Sequence, residues 1–270
     1  MLKDSTIAVI GGGTMGEAII QIAIDKHLVA PGQITASDIV PGRCQDLAAR
    51  YGIHATTDSA AAVAQADVVI LSVKPQALPA VLDVLQGKVR PEAIVLSIVA
   101  GARIATLVEG LGHAAIIRSM PNTPAQIGEG MTVWTATAET SQGQREQVKA
   151  ILQAMGKEVY VSKEEQLDMA TAVIGSGPAY VFLFMEAMVD AAVYLGFSRP
   201  VAKQLVLQTV LGSVRFAAES GTHLAELRNM VTSPGGTTAE ALYEMEKGSL
   251  RAVVLEGIRA AFLKSRSLGS

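Results

Sequence analysis

Thr6-Ile7-Ala8-Val9-Ile10 is a short apolar run, and Gly11-Gly12-Gly13-Thr14-Met15-Gly16 follows it without a gap. Ala18, Ile19, Ile22 and Ala23 then recur at helical spacing. Strand, glycine turn and helix in that order make the unit that receives a dinucleotide pyrophosphate. Gly11 makes the tight turn, Gly13 lets backbone approach the phosphates, and Gly16 lets the helix lie close to the strand. The plainer alternative is a glycine turn with no ligand.

Strands and helices alternate through the next 140 or so residues. Strands are expected near Gln33–Ser37, Ala66–Val73, Ala93–Ile98, Ala114–Arg118, Met131–Trp134 and Glu158–Val161. Helices are expected over Gly42–Tyr51, Asp58–Gln65, the Leu78/Val81/Leu82/Leu85 stripe and Gln142–Met155. This alternation predicts an α/β domain with a doubly wound, mostly parallel sheet. In such a sheet, residues just past the strands' carboxyl ends line the ligand crevice. Lys74-Pro75 and Ala100-Gly101 fall there, as does Asp38, 22 residues beyond Gly16, where an acid would meet a ribose 2′-hydroxyl. Ser37 and Arg43 stand close enough in sequence to favour a 2′-phosphate instead. Pro121 and Pro124 bracket Asn122-Thr123 in a rigid loop that would present an amide and a hydroxyl.

After Ser162 the strand signal stops, which places the domain boundary there: residues 1–162, then an all-helical part over 163–270. Helices are expected over Glu164–Val173, from Ala179 to Phe197, over Arg199–Ser220 and Thr222–Val231, from Thr237 to about Gly248, and from Leu250 onward. The Ala179–Phe197 stretch is apolar enough to suggest a membrane span, but Glu186 and Asp190 interrupt it. It reads as a helix buried on most faces, with an oligomer partner as the natural supplier of contacts.

Net charge is −3 and no basic arm is present, so nucleic acid is not an expected partner. One cysteine, Cys44, excludes an internal disulfide and fits a reducing, cytoplasmic location. The four histidines lack metal-ligand spacing, so no metal is expected. No secretory signal precedes the first strand.

Thr232-Ser233-Pro234-Gly235-Gly236-Thr237-Thr238-Ala239-Glu240 interrupts the helical half. Thr237 followed by Glu240 has the spacing of a capping box, so a helix should begin here. Free backbone N–H groups at such a start attract an anion. A well-capped helix turn with no ligand is the simpler reading of the same residues.

These blocks together resemble the pyrroline-5-carboxylate reductase family, which catalyses the last step of proline synthesis. The resemblance rests on Gly11–Gly16, Val73-Lys74-Pro75, Ala100-Gly101 and Arg118-Ser119-Met120-Pro121-Asn122-Thr123-Pro124. In the second half it rests on Asp168, Gly175-Ser176-Gly177-Pro178-Ala179-Tyr180 and Ser233-Pro234-Gly235-Gly236-Thr237-Thr238. It implies a Rossmann domain followed by a helical dimerisation domain, with dimers assembling further, up to decamers, in some members. It implies reduction of 1-pyrroline-5-carboxylate to L-proline by NADPH or NADH, at a site between the two domains and partly supplied by the partner chain.

On this resemblance, Ile10, Gly11, Gly12, Gly13, Thr14, Met15, Ser37, Ser72, Val73, Lys74, Pro75, Ala100 and Gly101 would contact the cofactor. Glu164, Gly236, Thr237 and Thr238 would contact the substrate, with Thr238 hydrogen-bonding or protonating the ring nitrogen. Ile174 stands where many members have serine, and Met230 where some have asparagine. Two other readings fit the architecture: a related imine reductase or β-hydroxyacid dehydrogenase, and a nucleotide-binding protein without activity. The absence of lysine from Ala179 to Phe197 weighs against the dehydrogenase.

Overall fold

The alternation begins with β1 (Ile7–Ile10), α1 (Thr14–Asp25), β2 (Ile34–Ser37), α2 (Pro41–Tyr51), β3 (His54–Thr56) and α3 (Ser59–Val63), of which β3 lies where no strand was expected. It continues through β4 (Val68–Leu71), α4 (Leu78–Leu85), β5 (Ile94–Ser97), α5 (Ile104–Leu111), β6 (Ile116–Met120), β7 (Gly130–Ala136), α6 (Gln142–Ala154) and β8 (Gly156–Tyr160). These elements come from a computed structural model, which describes residues 2–268. The strands form one sheet in the order β3-β2-β1-β4-β5-β6-β7-β8. Every pairing is parallel except β6 with β7, which is antiparallel.

The central strands are buried on both faces, so they read as continuous apolar runs. Ile7, Val9, Val68, Ile70, Ile94, Leu96 and Ile117 face one core, completed by Ile19, Leu47 and Ile151 from α1, α2 and α6. Ala8, Ile10, Val69, Leu71, Val95 and Ile116 face the other, against Val63, Leu82, Leu85, Leu107 and Leu111 from α3, α4 and α5. Each fully buried aliphatic chain contributes about 1.5–3 kcal/mol, so this double core is what holds the sheet.

Helix α5 is missing from the expectations drawn above. Its Ile, Thr and Val content weakens the local helical signal. It forms because Leu107 and Leu111 are fully buried and because its first amide, Ile104 N–H, donates to the Glu164 carboxylate at 2.8 Å. That cap comes from 60 residues away and has no local signature.

Beyond β8 only helices follow: α7 (Gln166–Ala170), α8 (Gly177–Tyr194), α9 (Arg199–Ser220), α10 (Leu224–Met230), α11 (Thr237–Lys247) and α12 (Leu250–Leu268). The expected Glu164–Val173 helix is corrected to α7 plus a wide π-type turn over Thr171–Gly175. Gly175 packs closely there: a Cβ would lie 2.6 Å from Met120 Cε, so the methionine's end would have to shift to admit one.

By compactness the chain divides into 1–176 with 261–270, and 177–260. Residues of α7 stay with the sheet because Leu167, Asp168 and Ala170 are buried.

Helix α8 is apolar and uncovered in the single chain, as expected of a helix whose contacts a partner supplies. None of its residues is buried within the single chain, and Phe182, Leu183 and Phe184 are all exposed. The helical run Gln166–Tyr194 has the length and mean hydropathy (1.5) of a membrane span.

Candidate active site

The order of strands reverses at β1: β2 lies on one side and β4 on the other. A crevice therefore opens at the carboxyl ends of β1, β2 and β4. Two cross-strand bonds hold its floor, Gly11 N–H to the Ser37 carbonyl at 2.8 Å and Ser72 N–H to the Ile10 carbonyl at 2.8 Å. Ser72 Oγ adds bonds to the carbonyls of Ile10 (3.1 Å) and Gly11 (2.7 Å).

The glycines do different things here. Gly11 has φ +102°, a conformation open to glycine at little cost. A Cβ on Gly16 would sit 2.1 Å from the Gly11 carbonyl oxygen, so only glycine lets α1 start so close to the turn. Gly13, the N-cap of α1, has nothing within 4 Å of where its Cβ would be. That bare backbone, next to the unpaired first-turn amides of α1, suits a pyrophosphate. The turn thus fits a dinucleotide.

A cavity of about 340 Å³ lies over this turn. Of the residues expected from sequence, Ile10, Gly11, Gly13, Ser37, Ser72, Val73 and Lys74 line it. Gly12, Thr14, Met15, Pro75, Ala100 and Gly101 are not among its lining residues. Gly12 is turned toward β2, its N–H bonded to Asp38 Oδ2 at 2.9 Å. Met15 packs against the core beneath the sheet. Pro75 opens a short 3₁₀ turn, and Gly101, with φ +75°, turns the chain after β5. Ile39, Val40, Ser59, Ala77 and Val81 also line the cavity and had not been singled out. The signal available for the first two was an apolar pair set in a loop directly after Asp38, and both are exposed. Larger depressions, of about 750 Å³ beside Lys3 and His27 and about 690 Å³ beside Ser141 and Gln147, lie by residues that precede β1, β2 and β5, away from the strands' carboxyl ends.

The Pro121–Pro124 loop spends its amide internally: Met131 N–H donates to Asn122 Oδ1 at 2.9 Å. Below it is a buried ionic cluster. Arg118 Nη1 lies 2.6 Å from Glu164 Oε1, and Arg103 Nη2 lies 2.9 Å from Asp168 Oδ2. Arg118 Nη2 is 3.7 Å from Asp168 Oδ1, to which Ser265 Oγ donates at 3.2 Å. Glu164 therefore has one oxygen committed to Arg118 and Ile104.

Described by itself, the Gly235–Thr238 turn is built differently from the capping box expected of it. The N-cap is Gly236, extended at φ −84°, ψ 168°, with no side-chain cap bond. Thr237 is the first helical residue, which puts Ala239 rather than Glu240 at the third position. Gly235 adopts φ +67°, and Gly236 N–H bonds the Ser233 carbonyl at 3.0 Å. These two glycines turn the chain so that the first-turn amides of Thr237 and Thr238 lack helical acceptors. Thr238 is half-buried.

Residues 164–268 match the family described as pyrroline-5-carboxylate reductase dimerisation, and residues 6–101 match NADP oxidoreductase, coenzyme F420-dependent. The pyrroline-5-carboxylate reductase of Pseudomonas aeruginosa is 42% identical over 99% of this chain and 98% of its own. The chain belongs to the pyrroline-5-carboxylate reductase family. Among solved members, the Coxiella burnetii enzyme is 35% identical, with a TM-score of 0.89, over 98% of this chain and 99% of that one. The Plasmodium falciparum enzyme, solved with NADP bound, is 29% identical with a TM-score of 0.91, and each chain is covered completely. Pyrroline-5-carboxylate reductases are NAD(P)-dependent oxidoreductases, and the glycine turn described above fits such a cofactor.

Proposed function

We propose that this protein reduces the C=N bond of 1-pyrroline-5-carboxylate to give L-proline, using NADPH or NADH. The observation that carries this reading is the match to a named pyrroline-5-carboxylate reductase along 99% of the chain. The cofactor, when bound, supplies the hydride. Cofactor contacts are assigned to Ile10, Gly11, Gly12, Gly13, Thr14, Met15, Ser37, Ser72, Val73, Lys74, Pro75, Ala100 and Gly101. Of these, the cavity-lining residues are the best supported.

The chain's own chemistry is modest because an imine carbon becomes electrophilic once its nitrogen is protonated or strongly hydrogen-bonded. Gly236, Thr237 and the turn preceding α11 hold the substrate carboxylate through backbone N–H groups. The helix dipole adds up to about 2 kcal/mol in a sheltered site. Thr238 Oγ1 donates to the ring nitrogen. Glu164 offers Oε2, its Oε1 being bound to Ile104 and Arg118. Binding and orientation do most of the remaining work.

Residues 1–162 form the nucleotide-binding domain in this reading, and 163–270 the dimerisation and substrate domain. A second subunit, rather than lipid, covers the apolar faces of α8 and α9, since the dimerisation match spans both helices. The assembly is a homodimer, with decamers as its higher form, in the cytoplasm.

The test is NAD(P)H absorbance followed with 1-pyrroline-5-carboxylate, with 2-hydroxyacids and with cyclic imines lacking the carboxylate. Oxidation only with the first supports the reading. Turnover of the others alone would point to a related dehydrogenase or imine reductase, and cofactor binding without turnover to a nucleotide-binding protein.

A further inference from the structure

Two opposite charges clamp the glycine turn from the β2–α2 side. Asp38 Oδ2 accepts from Gly12 N–H at 2.9 Å, and its Oδ1 accepts from Val40 N–H at 3.0 Å. Arg43 Nε donates to the Gly12 carbonyl at 2.6 Å. The guanidinium's remaining nitrogens go to Glu17 and, at 2.7 Å, to Asp46.

The consequence is an asymmetry of charge at the crevice. Among its described lining residues, Asp38 is the one anion and Lys74 the one cation. Lys74 follows β4 and Asp38 follows β2, with β1 between them. The half-buried Asp38 carboxylate thus sits at the β2 end with no cation beside it on the cavity wall. Arg43, the residue that could neutralise a phosphate there, is already matched by two carboxylates and tied to the Gly12 carbonyl. Ser37, the other candidate, is buried and its hydroxyl is paired with Ser59 Oγ at 2.9 Å.

We propose that Asp38 is a specificity-determining residue which makes this protein select a dinucleotide with a free ribose 2′-hydroxyl, NADH, over its 2′-phosphate ester, NADPH. This rests on the reading of the cavity as the dinucleotide site. A carboxylate has about four lone-pair positions, so Asp38 can accept from a ribose hydroxyl while keeping its bonds to Gly12 and Val40. A 2′-phosphate at the same place would meet a fixed like charge. Its only local remedy is to pull Arg43 from Glu17 and Asp46. The two backbone bonds also prevent the carboxylate from swinging away.

The experiment is a fluorescence titration of the full-length protein with NADH and with NADPH, in parallel with kcat/KM for each. It compares wild type, Asp38→Asn and Arg43→Met. Wild type should bind NADH roughly tenfold or more tightly than NADPH, with the gap narrowing as salt rises. Asp38→Asn should close most of that gap by improving NADPH binding. Wild type binding NADPH as tightly as NADH would overturn the proposal, as would a selective loss of NADPH affinity in Arg43→Met. An unchanged gap in a folded Asp38→Asn would do the same. If that variant does not fold, the wild-type preference and its salt dependence decide. Turnover that favours NADPH sinks this inference and leaves the enzyme reading intact, whereas binding of neither dinucleotide sinks both.

Discussion

Glu164 caps a helix that begins 60 residues before it: Oε1 accepts from Ile104 N–H at 2.8 Å while also meeting Arg118 Nη1 at 2.6 Å. One carboxylate oxygen thereby fixes the start of α5 and the buried guanidinium on β6. Removing it takes away a cap worth about 1 kcal/mol and one partner of a buried cation. Glu164→Ala should therefore unfold at lower urea, by about 2 kcal/mol or more. Equal stability of the two proteins would mean that the cap contributes nothing.

Asp168 is the deeper member of the same cluster, with its side chain only 2% exposed. It faces Arg103, Arg118 and Ser265. Asp168→Ala leaves Arg118 with a single carboxylate in a buried site, and a loss of about 3 kcal/mol or more is expected. Chemical denaturation measures it, and a loss below that of Glu164→Ala would show that burial is not what matters.

The glycine turn yields a separation of effects. Gly16→Ala forces a Cβ to 2.1 Å from the Gly11 carbonyl oxygen, so melting temperature and dinucleotide affinity should fall together. Gly13→Ala meets no protein atom within 4 Å, so its melting temperature should hold. Its dinucleotide affinity should fall by about tenfold or more, because the new methyl fills the space the phosphates need. Unweakened binding in Gly13→Ala would remove that backbone from the site.

Acid should destabilise the protein in part through Glu17 and Asp67. Burial pushes the Glu17 carboxyl up, but hydrogen bonds from Arg43 and Tyr51 and the charges of Arg43 and Arg50 outweigh it, leaving it below its ordinary 4.5. Burial likewise raises Asp67, and Thr6 and Arg90 together bring it below its ordinary 3.8. A carboxylate depressed on folding adds stability above its unfolded value and loses it as pH falls through the folded one. Wild-type stability should thus decline below about pH 4.5, and Glu17→Gln should flatten that decline. Parallel urea midpoints from neutral pH downward provide the comparison. Identical slopes would remove Glu17 from the acid response.

Thr238→Ala should lower kcat roughly ten- to a hundredfold while leaving dinucleotide affinity in place, as expected for a lost proton donor at the imine nitrogen. Thr238→Ser, which keeps the hydroxyl, should recover most of the rate. Steady-state kinetics with 1-pyrroline-5-carboxylate decide, and an undiminished kcat in the alanine variant would end the proposed role.

Phe182 and Leu183 on α8 are 59% and 67% exposed in the single chain. Sedimentation should find a dimer or larger assembly, and Leu183→Glu should shift it toward monomer. A monomeric wild type would leave these faces without their proposed cover.

Much of the fold follows from short-range pattern. Apolar runs of strand length, each followed by a helical stripe, determine a parallel sheet because such strands must be covered on both faces. Gly11, Gly13 and Gly16 determine the cofactor turn because their spacing encodes backbone needs that hold wherever the unit occurs. Contacts between residues far apart in the chain decided the rest. Helix α5 has a local trace in Ile104, Leu107, Val108 and Leu111, spaced three and four apart, whereas the cap that Glu164 supplies to its first turn has none. The N-cap of α11 is Gly236 and not Thr237 because two glycines turn the backbone there, although Thr237 and Glu240 have the spacing of a box. Asp38 and Arg43 were ambiguous as letters. In the structure Asp38 accepts from the Gly12 N–H and Arg43 donates to the Gly12 carbonyl, partners that only the tertiary structure supplies.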